Sequence, residues 1–198
     1  MTTFVKICGL RDEATVAAAV EAGADAVGFV FADSPRRVSV DEARRAARSV
    51  PDSVRRVAVM RHPSGADWAD VLERFKPDVL QTDAEDFAGL EVPSHVATWP
   101  VLREGRSASV PVPQEFVYEG PVSGSGETVD WKNAASLARK GRMVLAGGLD
   151  ATNVGDAIRA ARPWGVDVSS GVESAPGEKD VEKIRQFIGA VRTAEIKA

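Results

Sequence analysis

Eight short runs rich in β-branched and aliphatic residues alternate with helical stretches along the chain, and no other feature limits its fold as tightly. The runs are Phe4 to Cys8, Ala26 to Phe31, Arg55 to Met60, Val79 to Gln81, Val96 to Trp99, Phe116 to Tyr118, Met143 to Ala146 and Val166 to Ser169. Segments of helical spacing lie between them at Glu13 to Ala22, Val40 to Val50, Ala66 to Phe75, Lys132 to Lys140 and Ala151 to Ala161, and Val181 to Val191 closes the chain. Alternation of this kind predicts a parallel sheet. A local pattern recurs at Gly23-Ala24-Asp25-Ala26-Val27, Pro77-Asp78-Val79-Leu80 and Gly165-Val166-Asp167-Val168, each reading as a helix stop, an Asp and a new strand. Turn chemistry alone and descent from a duplicated unit both account for it.

Eight strands with helices between them suit an α/β protein of one domain, a (β/α)₈ TIM barrel over residues 1–198, close to the lower limit of roughly 200 residues for that fold. The economy is expected after the fifth strand. Residues 103–114, with Ser107, Ser109, Pro111 and Pro113, have no helical period, so the fifth helix should be short or missing. An open doubly wound sheet is the alternative, and it would place ligands at a strand-order reversal.

Composition narrows the function. A net charge of −4 lacks the basic footprint that nucleic acid or an anionic membrane demands. The first residues run straight into a strand, without a signal-peptide pattern, and no apolar run approaches membrane-spanning length, so a cytoplasmic protein is expected. The single cysteine, Cys8, has no disulfide partner, and His62 and His95 stand apart in sequence without zinc-ligand spacing, so no metal is implied.

The candidate site gathers at strand ends. Gly147-Gly148 and Ser169-Ser170-Gly171 end consecutive strands, where barrel loops commonly present backbone N–H groups to a phosphate, so the expected ligand is a phosphorylated small molecule. Cys8 ends the first strand, at the rim where barrel active sites form; it reads either as a reactive thiol or as a small buried hydrophobe. Strand alternation sets Lys6 and Cys8 inward and Val5 and Ile7 toward the helices, and an ammonium one layer below would favour the thiolate. Asp130 closes the Ser123-Gly124-Ser125-Gly126 loop just before a helix. It reads as an N-cap, or as a carboxylic acid beside Trp131 with a raised pKa. Arg36, in Ser34-Pro35-Arg36-Arg37, is either solvated or a clamp for a carboxylate.

These blocks together resemble phosphoribosylanthranilate isomerase over nearly the whole chain. The resemblance rests on Lys6-Ile7-Cys8-Gly9, on residues 23–31 followed by Ser34-Pro35-Arg36, on Gly124-Ser125-Gly126 leading to Asp130-Trp131, and on Ala146-Gly147-Gly148-Leu149 with Asn153. The most specific block is Val166-Asp167-Val168-Ser169-Ser170-Gly171-Val172-Glu173 with Pro176-Gly177 and Lys179-Asp180. The resemblance implies a cofactor-free Amadori rearrangement in tryptophan biosynthesis by a monomer or homodimer. It implies Asp130 as general acid, Cys8 as general base, Arg36 on the anthranilate carboxylate, the Gly147-Gly148 and Ser169-Ser170-Gly171 loops on the phosphate, and Asp167 in the interior beneath the site. The alternatives are an isomerase of another phosphorylated aminoaldose, or a paralogue that binds a phosphorylated sugar without turning it over.

The chain departs from the family between its third and fifth strands. Leu80-Gln81-Thr82-Asp83-Ala84 stands where relatives read Val-Gln-Leu-His-Gly, Met60-Arg61-His62 where Phe-x-Asn is common, and Trp99-Pro100 where the fifth strand carries a lysine. A carboxylate at Asp83 is expected to disfavour an anionic substrate unless Arg61 or Arg103 compensates.

Overall fold

The computed structural model describes residues 2–106, 112–122 and 126–196. Eight strands pair in sequence order and close into a barrel: β1 (Phe4–Cys8), β2 (Ala26–Val30), β3 (Arg55–Val59), β4 (Val79–Asp83), β5 (Ala97–Arg103), β6 (Glu115–Glu119), β7 (Arg142–Leu145) and β8 (Gly165–Val168). Every neighbouring pair is parallel, and β1 meets β8 with Lys6 opposite Asp167. Closure excludes the open doubly wound alternative. No described helix is long and apolar enough to cross a membrane.

The helices are α1 (Glu13–Ala22), α2 (Val40–Ala46), α3 (Gly65–Arg74), α4 (Trp131–Ala138), α5 (Val154–Ala161) and α6 (Val181–Ile196). The first three start at side-chain caps: Asp12 accepts from Thr15 N, and Ser39 with Glu42 and Ser64 with Asp67 form reciprocal capping boxes. Each such cap satisfies donors that the first turn leaves free, worth about 1 kcal/mol. The crossover from β4 to β5 is reduced to a 3-10 helix at Ala84–Gly89. Among the described residues no helix joins β5 to β6, as the aperiodic sequence there predicts; residues 107–111 lie outside them. A short hairpin of β9 (Glu173–Ala175) and β10 (Glu178–Lys179) follows the barrel.

The recurrent Asp pattern splits in two. Asp25 and Asp78 precede β2 and β4, and each clamps the neighbouring strand: Asp25 N donates to Val5 O while its carboxylate accepts from Val5 N, and Asp78 does the same with Arg56. Asp167 lies within β8 and has a different partner, so the third instance is not the same device.

Strand alternation builds two apolar layers. Val5, Ile7, Phe29, Leu80, Phe116 and Leu145 pack outward in the layer that includes Val16, Phe187 and Ile188 from the helices. Inside the barrel a second cluster holds Val57, Val79, Trp99, Val117 and Val144, with Phe4 and Trp164 against it. Phe4 stacks on Trp164 with centroids 4.5 Å apart, and Trp99 meets both rings edge-on. Each such ring pair adds about 0.5–1.5 kcal/mol to its area burial. Buried Asp83, Arg103 and Asp167 lie in the C-terminal halves of their strands.

Candidate active site

The C-terminal mouth of the barrel opens into a cavity of about 610 Å³, lined by Cys8, Arg36, Gly147, Gly148, Ser169 and Ser170 among others. Six of the residues expected from sequence thus meet in one place, and Asp167 lines the same cavity. Its size matches a site for a small organic ligand.

Lys6 and Cys8 occupy the inner face of β1, as alternation predicts. Lys6 is fully buried, and its Nζ donates to Asp167 Oδ2 at 2.7 Å. Burial pulls the ammonium down, but attraction to Asp167 and Cys8 reverses that pull and holds Lys6 above its ordinary range. Burial also pushes the Cys8 thiol up, and the opposing pull of Lys6 and Lys179 does not overcome it. This corrects the expectation that Lys6 makes the thiolate the favoured form. The ammonium groups favour the thiolate locally, yet a thiol this far buried beside the Asp167 carboxylate pays more for its charge than the two cations return.

The two glycine-bearing loops interlock. Gly147 and Gly148 both have positive φ, and Asn153 braces them by donating from Nδ2 to Gly148 O at 2.8 Å. A Cβ on Gly148 would stand 2.7 Å from backbone atoms of residues 126–128, so the loop after β6 rests on it. A Cβ on Gly171 would lie 2.0 Å from Leu149 O. Gly171 is not among the residues that line the cavity; its bare Cα lets the β8 loop close against the β7 loop. Ser169 Oγ donates to Cys8 O at 3.1 Å, which ties that loop to the end of β1.

Asp130 is the N-cap of α4, its Oδ1 accepting from Lys132 N at 2.8 Å. It is exposed and does not line the cavity, so the expectation of a carboxylic acid enclosed beside Trp131 is not met. Glu104 holds its backbone, accepting from Asp130 N at 2.9 Å and from Tyr118 Oη at 3.3 Å. Burial, then the Glu104 and Asp130 carboxylates, push the Tyr118 phenol up to about 12. Ser123, Gly124 and Ser125 of the adjoining loop lie outside the described residues.

The altered wall is electrically repaired. Arg103 at the end of β5 donates from Nε to Asp83 Oδ1 at 2.8 Å, with Nη2 at 2.6 Å from the same oxygen, and it reaches Gly120 O and Glu119 as well. Arg103, not Arg61, supplies the compensation. Trp99 belongs to the interior cluster and donates to Glu115, so its presence on β5 does not touch the cavity. His62 does not stand alone in space: its Nδ1 is 2.8 Å from Asp86 Oδ1 and its Nε2 3.7 Å from Asp83. These three could group around a cation, but Asp83 is committed to Arg103 and Asp86 also accepts from Thr82 Oγ1 and His62 N.

Two residues escaped the sequence reading. Glu173 takes both Nε and Nη2 of Arg36, at 2.7 and 2.9 Å, and Lys179 Nζ lies 2.6 Å from Glu173 Oε1. Their only signal was a place in the block Val172-Glu173 to Lys179-Asp180, because Arg36 and Glu173 are 137 residues apart.

Known proteins share this architecture. The family model described as N-(5'phosphoribosyl)anthranilate (PRA) isomerase matches residues 5–190. An N-(5'-phosphoribosyl)anthranilate isomerase of Bordetella petrii is 41% identical, over 98% of this chain and 97% of its own. A solved phosphoribosyl anthranilate isomerase in complex with reduced 1-(o-carboxyphenylamino)-1-deoxyribulose 5-phosphate superposes with a TM-score of 0.79 at 31% identity, over 97% of this chain and 100% of its own. A structure of mutually generated monomers of the dimeric enzyme from Thermotoga maritima gives 0.78 at 29%, with the same coverage of both chains.

Proposed function

Because the chain belongs to the N-(5'-phosphoribosyl)anthranilate isomerase family, we propose that its cavity rearranges N-(5'-phosphoribosyl)anthranilate to 1-(2-carboxyphenylamino)-1-deoxyribulose 5-phosphate, a step of tryptophan biosynthesis. The observation that carries this reading is the meeting, in one cavity, of Cys8 and Arg36 with the loops Gly147-Gly148 and Ser169-Ser170. A doubly anionic substrate needs an anion grip at each end and a proton acceptor between them.

In this reading the phosphate rests on the two loops, braced by Asn153 and by the Gly171 contact. Arg36 takes the anthranilate carboxylate. Glu173 occupies its Nε–Nη2 edge, so the Nη1–Nη2 edge remains for a second carboxylate. Asp130 protonates the furanose ring oxygen, and the C1–O bond breaks to give an iminium. Its Oδ1 caps α4, which leaves Oδ2 to carry the proton. Asp130 stands outside the cavity, four residues beyond Gly126, which lines it, and the reading requires the β6 edge to bring the acid to the substrate. Cys8 then removes the C2 proton as a thiolate, with Lys6 and Lys179 as the nearby cations that oppose its burial in part. The resulting enolamine tautomerises to the ketone, and no atom is gained or lost. A cytoplasmic monomer or homodimer is the setting we assign to this reaction.

The test is fluorescence decay of freshly generated phosphoribosylanthranilate, with product removed as it forms. Decay faster than the spontaneous rate supports the reading. No acceleration by folded protein that binds the reduced product analogue would favour a binding paralogue instead.

A further inference from the structure

We propose that Glu173 and Lys179 are positioning residues that lock the carboxylate-binding arginine and the phosphate-side serine loop to one another. This rests on the substrate reading above. The two residues sit on β9 and β10, a hairpin outside the barrel sheet, and their side chains are 5% and 1% exposed. Glu173 holds Arg36 through two parallel bonds, a geometry that fixes the plane of the guanidinium as well as its place. Lys179 Nζ donates to the same carboxylate and also to Ser169 O at 2.9 Å and Ser169 Oγ at 3.2 Å. Ser169 in turn holds Cys8 O. One continuous chain of bonds therefore runs from Arg36 through Glu173, Lys179 and Ser169 to the backbone of Cys8.

The hairpin is itself fastened at both ends. Lys183 of α6 donates to Glu173 O at 2.6 Å. At the turn, a Cβ on Gly177 would lie 2.5 Å from Pro35 O, so the hairpin rests on the loop that carries Arg36. Buried ion networks are weak sources of stability, since apolar residues of like volume often serve as well. A network of this kind is useful where one guanidinium edge must be presented in a fixed direction. Glu173 also takes up the Nε–Nη2 edge of Arg36, which leaves the Nη1–Nη2 edge for a second carboxylate and so one register for it.

The experiment compares Glu173→Gln with wild type on phosphoribosylanthranilate and on its aniline counterpart, which lacks the carboxylate. Wild-type turnover reports on the substrate reading; the ratio of kcat/KM for the two substrates reports on the positioning role. The expected result is a fall of that ratio by at least about tenfold, carried by the carboxylated substrate, with a loss below about threefold on the aniline compound. In an Arg36→Met background Glu173→Gln should change the ratio by less than about twofold, because the two side chains act as one unit. Equal losses on both substrates, or full additivity with Arg36→Met, would overturn the proposal. Glu173→Asp, which keeps the charge but shortens the reach, serves if the Gln variant does not fold, and should also lower the ratio. If wild type turns over neither compound, the same ratio read as calorimetric affinities of the two reduced product analogues decides the question.

Discussion

Lys6 Nζ and Asp167 Oδ2 stand 2.7 Å apart across the seam where β1 meets β8, directly beneath Cys8. Both side chains are buried, at 0% and 8% exposure. Removing one partner strands the other in an apolar interior. Lys6→Met should therefore destabilise the fold by about 3–5 kcal/mol, whereas Lys6→Met with Asp167→Leu should recover most of that loss. Denaturant midpoints of the two single variants and the double variant check it; simple additivity would contradict the pairing.

Asp83 and Arg103 make a second buried pair, with opposite consequences for the two partners. Arg103→Met removes the guanidinium that faces the Asp83 and Glu119 carboxylates at the mouth, so KM for an anionic substrate should rise, by about tenfold or more. Asp83→Asn frees a cation there, and KM should hold or fall, at a stability cost of about 1–3 kcal/mol. Steady-state kinetics of the two variants measure the contrast, and a rise in KM for both would refute the compensation.

Gly171 is where the β8 loop closes against the β7 loop. Because its Cβ would stand 2.0 Å from Leu149 O, Gly171→Ala should force the β7 and β8 loops apart and cost about 1–3 kcal/mol. The affinity for inorganic phosphate should fall with it. An unchanged phosphate affinity, measured by calorimetry, would remove the loops' interlock from the account.

The pH dependence follows from burial at Cys8. The base must be a thiolate, and burial holds its pKa above the ordinary thiol value, with Lys6 and Lys179 opposing. The pH profile of kcat/KM should accordingly contain a thiol ionisation above about pH 8.5, the value for a free thiol, which Cys8→Ala removes, set against the protonation that the acid requires. At the acid end Glu173 acts with the opposite sign. Burial would raise its carboxyl, but the bonds from Arg36 and Lys179 win and hold it below its ordinary value. Its contribution to stability is present above about pH 4.3 and is lost as pH falls through that lower native value. Glu173→Gln should remove this acid limb from a stability–pH profile.

The alternation of strands and helices made the barrel legible, because period-2 and period-3.6 patterns are local properties of the chain. The inward set of Lys6 and Cys8 came from the same rule. Strand ends were harder: β4 runs on to Asp83 and β5 to Arg103, polar residues that extend inward only because they face a mouth and one another. A carboxylate at Asp83 beside an anionic substrate calls for a cation, Arg61 or Arg103 in the sequence, and only the packing of β4 against β5 selects Arg103. The bond from Arg36 to Glu173 joins residues from opposite ends of the chain and leaves no periodic trace. Asp130 was legible as a cap or an acid; the fold shows the cap, and the acid role rests on chemistry with substrate present.

The most direct test of the central claim is turnover of phosphoribosylanthranilate by the Cys8→Ala, Asp130→Ala double variant beside wild type. If the acid and base are these two residues, the wild type accelerates decay and the double variant falls to the spontaneous background, a loss of more than about 10²–10⁴-fold. A folded double variant that retains most of the wild-type rate would contradict the mechanism.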